Sequence, residues 1–166
     1  MKEAAKIKLE RISHIELDEG SFIRRRDDIE MERSIAIADL LKENYFAPIL
    51  KEKEKPKGPY HLHLSIDGDG LIMNVTDAES APFRRFQISL NPFRTIVKEY
   101  FHICESYFKA LKGASPNKIE AIDMGRRSIH NEGATLLKER LKGKCDMDDD
   151  TSRRLFTLIC VLHIRT

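Results

Sequence analysis

The sequence contains no run of about 18 apolar residues, the length a helix needs to cross a bilayer. Its first residues, MKEAAKIKLER, carry no apolar signal core. Both absences point away from membrane spanning and secretion. Cysteine is scarce: Cys104, Cys145 and Cys160 are odd in number, far apart, and form no Cys-x-x-Cys. Neither a disulfide framework nor a thiolate zinc site follows, and reduced thiols of the cytoplasm are the plain reading. Charge of one sign is also missing, since 29 basic residues face 27 acidic ones for a net charge of +2. A domain built to grip nucleic acid is usually more basic, so such a partner is disfavoured. There is no internal repeat, glycine-rich phosphate loop, Ser-x-x-Lys or His-Glu-x-x-His. No cofactor is called for and no reaction is identified.

What is present describes a globular chain of 166 residues with 41% hydrophobic and 34% charged residues. That length suits one domain, which can bury roughly 70% of its unfolded surface without a metal or disulfide staple. We therefore expect a single domain over residues 1–166, with 1–10 frayed. A short strand is expected around Ile12 to Leu17. Asp27 and Asp28, following Arg24, Arg25 and Arg26, can cap a helix running to about Asn44, with Ile29, Arg33, Ile37 and Leu40 on one face. Residues 45–50 suit an edge strand containing Pro48, and KEKEKPKGP is a loop whose charges largely cancel.

The clearest strand signals follow. Tyr60, Leu62, Leu64 and Ile66 alternate with His61, His63 and Ser65. Asp67-Gly68-Asp69-Gly70 makes a hairpin turn, and Leu71, Met73 and Val75 alternate beyond it. A third strand fits residues 84–90, giving an antiparallel meander. Asn91 and Pro92 resemble an N-cap and a first-turn proline. The helix they open carries Phe93, Val97, Tyr100, Cys104, Tyr107, Phe108 and Leu111 on one arc and ends near Gly113. Ser115-Pro116 and Gly143 bracket another helix, and residues 148–151 cap a last one that is apolar on all sides. Such a helix is buried centrally or in a subunit interface. The expected class is α+β: a small antiparallel meander of three to five strands, with an N-terminal helix and three C-terminal helices packed on one face.

One polar cluster stands out on the helix after Ser115. At 100° per residue, Ile122, Ile129, Gly133, Leu136, Leu137 and Leu141 gather on one side. Asp123, Arg126, His130 and Arg140 land there too, with Arg127 at the edge. Charges in an apolar stripe are costly unless paired, and the i,i+3 and i,i+4 spacings permit pairing. Gly125 and Gly133 each cost about 1 kcal/mol relative to alanine in this helix, which close backbone approach would offset. Two readings compete. Buried polar groups are usually satisfied by protein partners, which makes a network that fixes helix docking the ordinary one. The functional reading is a small anion pocket, with Arg126 and Arg127 holding the charge and His130, oriented by Asp123, moving a proton.

Other signals are weaker. His61 and His63, two apart on a strand, could start a metal site, but a solvent-facing polar surface is the favoured reading and no metal is assigned. Asp67 and Asp69 read as turn residues, and Asp148 to Asp150 as a helix cap beside Arg153 and Arg154. Cys104 and Cys160 read as core residues. Cys145 lies beside Lys144, which could lower its pKa. Arg24 to Arg26, with Lys6, Lys8 and Arg11, form a short basic patch blunted by adjacent acids.

The stretches IEAIDMGRRSIHNEGATLLKERLKGK and DDDTSRRLFTLICVLHIR, with RTIVKEYFHICESY and GPYHLHLSI, are similar to an uncharacterised bacterial family, number 0262 in the uncharacterised protein family series. The resemblance covers most of the chain from about Asp27. It implies an alphaproteobacterial cytoplasmic protein and no activity. The functional expectation is a non-enzymatic binding or regulatory domain, self-associating through the apolar C-terminal helix. The alternative is a small enzyme or receptor for an anionic metabolite, acting through Asp123, Arg126, Arg127 and His130.

Overall fold

A computed structural model of the chain describes residues 9–19 and 26–163. Residues 1–8, Arg24 and Arg25 lie outside the described residues, and with them the expected fraying and most of the basic patch.

Alternating side chains build the sheet. Strands β3 (Tyr60–Asp67), β4 (Gly70–Thr76) and β5 (Pro82–Ser89) form the expected antiparallel meander. Strand β1 (Ile12–Leu17) pairs with the other edge of β3 in parallel, so the sheet is mixed, in the order β1-β3-β4-β5. This is a correction to a purely antiparallel sheet. Parallel neighbours need a long crossover, and helix α1 (Asp27–Lys42) lies in the chain between β1 and β3. A second, two-stranded sheet joins β2 (Phe46–Pro48) to β6 (Cys145–Met147) antiparallel.

The remaining helices are α2 (Arg94–Leu111), α3 (Pro116–Arg140) and α4 (Asp149–His163). The class is α+β. One face of the sheet, bearing Tyr60, Leu62, Leu64, Leu71, Met73, Val75, Phe86 and Ile88, shares a continuous apolar core with all four helices.

Local chemistry sets the helix ends. The Ser115 hydroxyl accepts from the Lys118 N–H at 3.3 Å, and Pro116 occupies the first turn, where its missing N–H costs nothing. The Asp148 carboxylate accepts from the Thr151 N–H at 2.9 Å. Asn91 is not the cap expected of it. It starts a short 3-10 turn, Asn91–Phe93, that runs directly into α2 without a side-chain cap. The α2 arc holds from Phe93 to Cys104, but Leu111 at its end is exposed.

Helix α4 is enclosed by the chain itself. Leu155, Phe156, Leu158 and Cys160 are all 0% exposed within one chain, against α1, α2, α3 and β3. Its burial therefore needs no partner subunit. Gly133 is where α3 meets it. A Cβ added there would fall 2.5 Å from three ring atoms of Phe156, so only glycine admits that ring. Gly125 is different, because a Cβ would sit 3.4 Å from the end of Ile103.

Candidate functional site

The polar residues of α3 meet partners from two other helices. On α1 the buried positions are Asp28, Ile29, Glu32, Ala36 and Leu40. The expected face of Ile29, Arg33, Ile37 and Leu40 is thus rotated, keeping Ile29 and Leu40. Arg33 lies at the margin and forms a two-pronged pair with Glu19 at 2.8 and 3.0 Å. The residue that enters the core is Glu32, whose side chain is 6% exposed.

Glu32 is met by Arg126. Nη1 of the guanidinium donates to both Glu32 oxygens, at 3.0 and 3.2 Å. Nε donates to Asp123 Oδ1 at 3.0 Å, and Nη2 lies 2.9 Å from the same oxygen. The guanidinium carbon also stands 4.6 Å from the centre of the Tyr107 ring on α2. Burial opposes the charge, but the carboxylates of Glu32 and Asp123 outweigh it, and the Arg126 pKa is raised. Every guanidinium nitrogen is occupied by a carboxylate. Arg127 reaches Asp123 Oδ2 at 3.3 Å with its side chain 59% exposed. The two cations and two anions balance.

The Cys104 thiol of α2 donates to Glu32 Oε1 at 3.1 Å. Burial, then the Glu32 charge, push that thiol's pKa up, so it is no nucleophile. His130 is buried at 7% exposure, tilted against Tyr100 with ring centroids 5.4 Å apart. Burial, with Arg126 and Arg153 adding to it, lowers its pKa from 6.5 to about 4. The imidazole is neutral near pH 7. Asp123 does not orient it, because both Asp123 oxygens go to the arginines. His130 Nε2 and the Tyr100 hydroxyl are buried without a hydrogen-bond partner; the Cys104 sulfur beside that hydroxyl is a poor one. Arg140 and Glu132 are exposed and take no part.

The three α3 residues Asp123, Arg126 and Arg127 are thus brought together, and His130 stands beside them unbonded to Asp123. Glu32 was missed, although its position carried a signal: three residues after Ile29 and four before Ala36, a carboxylate sits on an apolar stripe.

A second polar group lies on the opposite face of the sheet, away from the helices. The parallel register sets His14 beside His61 and Glu16 beside His63. The His14 and His61 rings are 4.2 Å apart between centroids. With Asn74 and Thr76 of β4, these side chains line a shallow depression of about 490 Å³. His14 and Glu16 are exposed, and His61 and His63 are half-buried.

The family model of the Uncharacterised protein family (UPF0262) matches residues 9–165. The chain belongs to this family. A UPF0262 protein of Cereibacter sphaeroides strain KD131 is 54% identical over 156 residues, covering 93% of this chain and 99% of the relative. One from Rhodospirillum rubrum is 54% identical over 151 residues, with 91% of each chain covered. A third, from Ruegeria pomeroyi, is 52% identical over 156 residues, 93% of this chain and 97% of the relative. No solved structure matches the chain.

The other signals in this UPF0262 chain read as structural. Cys145 is not the activated thiol that Lys144 suggested, because burial in β6 raises its pKa. Cys160 is likewise raised by burial in α4. Asp69, in the hairpin turn, pairs with Arg94 at the start of α2 at 2.7 Å. Asp149 and Asp150 bind Lys138 and Arg153 at 2.8 and 3.0 Å. Among the described residues no helix is long and apolar enough to cross a membrane.

Proposed function

We propose that this chain is a non-enzymatic binding domain whose ligand surface is the open face of the sheet, and whose helix-layer ion cluster is structural. The observation that carries the reading is the contrast between the two polar groups. In the helix layer each nitrogen of Arg126 already meets a carboxylate, and the charges of Glu32 and Asp123 oppose the approach of a further anion. On the sheet, the depression of about 490 Å³ lined by His14, Glu16, His61, His63, Asn74 and Thr76 presents polar side chains to solvent. Binding sites are typically concave with a few convergent polar groups. Self-association through α4 is not part of the proposal, since that helix is covered within the chain.

The test is a ligand panel on the isotope-labelled chain, read by amide and imidazole chemical shifts. Ligands are expected to shift β1, β3 and β4 and to leave residues 119–133 in place. Shifts confined to α3 overturn the reading.

A second reading is favoured by the orphaned Tyr100 hydroxyl and His130 Nε2, which a small guest would satisfy. On it, an anionic metabolite enters beside the exposed Arg127 and reaches His130. Thermal-shift screening against phosphates, nucleotides and carboxylic acids is its measurement. A stabilisation that Arg127→Ala abolishes supports it, and none across the panel rejects it.

A further inference from the structure

We propose that the groove at the hairpin of α2 and α3 is a further ligand site, which takes the phosphate monoester of a small molecule through Lys109, Lys112 and Lys118. It shares no residue with the depression on the sheet, and so goes beyond the binding-domain reading.

Helix α2 ends at Leu111, the chain turns through residues 112–115, and α3 starts at Pro116. Between the two helix ends lies a groove of about 600 Å³. Its lining holds the three lysines and no carboxylate. Lys112 and Lys118 have no acidic partner among the described residues. Lys109 reaches Glu105 at 2.9 Å, but Glu105 also lies 3.5 Å from Arg26, so one carboxylate serves two cations. On α3 the acid nearest in sequence to Lys118 is Glu120, which stands about 200° round the helix from it. The groove therefore carries positive charge that the chain does not cancel.

Two of the ammonium groups have a set direction. Lys112 Nζ stands 4.5 Å from the centre of the Phe108 ring, and Lys109 Nζ donates to Glu105. A phosphate monoester is close to a dianion near pH 7 and offers three acceptor oxygens, one for each lysine. Lysine meets phosphate as a compact point charge with three rotatable donors. A single carboxylate, with one charge, would leave part of the surplus uncancelled. The Ser106 hydroxyl in the same lining adds a neutral donor. Ala110, Ala114 and the half-buried Ile122 supply an apolar floor for the carbon part of the ligand. A groove of about 600 Å³ suits a nucleotide-sized molecule better than a bare ion.

The experiment uses the full isotope-labelled chain at low salt, with AMP and glycerol 3-phosphate as probes. Adenosine and glycerol are their uncharged counterparts. Calorimetry gives the affinity and amide chemical shifts give the place. The expected result is one phosphate compound per chain, bound at about millimolar or tighter, with shifts centred on residues 106–118 and no binding of the uncharged counterparts. Lys112→Ala and Lys118→Ala should each weaken binding about tenfold. Lys98→Ala, at an exposed position in the first turns of α2, should leave it unchanged. No binding of either phosphate at about 10 mM overturns the proposal. So does an equal loss in Lys98→Ala, which would mean a diffuse field, or binding that Arg127→Ala abolishes, which would place the anion at the helix-layer cluster. Binding to phosphatidylcholine vesicles doped with phosphatidic acid, with both soluble probes failing, overturns it in favour of a membrane surface. Shifts at this turn leave the sheet-face reading as it stands, and silence on β1, β3 and β4 strikes that reading alone.

Discussion

His130 is a histidine that the fold keeps from charging. Its ring lies among Tyr100, Arg126 and Arg153, and burial first, then the two cations, depress its pKa from 6.5 to about 4, with only Asp123 acting the other way. The unfolded chain therefore binds a proton at this residue in a pH window where the folded chain does not. Stability must rise with pH across that window, being complete above about 6.5 and lost as pH falls toward about 4. The size is about 3 kcal/mol at the lower end, an order-of-magnitude figure for a group this deeply buried. Other carboxylates titrate in the same range, so the parent alone does not isolate the effect. His130→Phe does, because it removes the proton site and the unpaired Nε2 together. Urea midpoints at several pH values between 4 and 7 should show the parent losing about 3 kcal/mol more than the variant on the acid side. Parallel curves would mean that His130 is solvated.

At the scale of elements, α3 is held by a close approach at Gly133 and by an ionic tie at Arg126. Gly133→Ala gains helix propensity, but its methyl group meets the fully buried Phe156 ring, and overpacking a core costs about 1–3 kcal/mol. Gly125→Ala meets only the flexible end of Ile103, and should gain up to about 1 kcal/mol. Denaturant midpoints of the two variants should move in opposite directions. The tie is tested by Arg126→Met, which leaves the Glu32 carboxylate buried and unpaired at about 3–5 kcal/mol. Adding Glu32→Gln should recover part of that loss, a non-additivity measured by a double-mutant cycle. The two features were not equally legible in the sequence. Period-two alternation gave β3 and β4, and Ser115-Pro116 gave the start of α3, because those signals are local. The charged residues on α3 were legible as needing company, and Arg126 does find it. That the company would be Glu32, 94 positions away, was not legible, because helical spacing ranks faces within one helix and says nothing about which helix lies opposite.

For the whole molecule, topology is the property that local pattern under-determines. Strand β1 was visible as an apolar alternation, yet its parallel place beside β3 depends on α1 crossing between them. That pairing also brings His14 to His61, so the histidine face could not be assembled from residues 61 and 63 alone. Helix α4 raises the same issue in another form. An all-round apolar helix is equally suited to a core or to an interface, and hydrophobicity does not choose between them. Leu158 decides it. The side chain is 0% exposed within one chain, on a helix that contacts α1, α2, α3 and β3. Were α4 the seam of a dimer, Leu158→Asp would release a folded monomer. Where α4 is the centre of the chain, the same substitution places an unpaired carboxylate in the core, costing several kcal/mol, a large share of the about 5–15 kcal/mol that holds a domain together. The expected outcome is loss of the cooperative thermal transition and of protease resistance, read beside light scattering. A folded, monodisperse Leu158→Asp variant of half the parent's mass would instead assign α4 to a subunit contact.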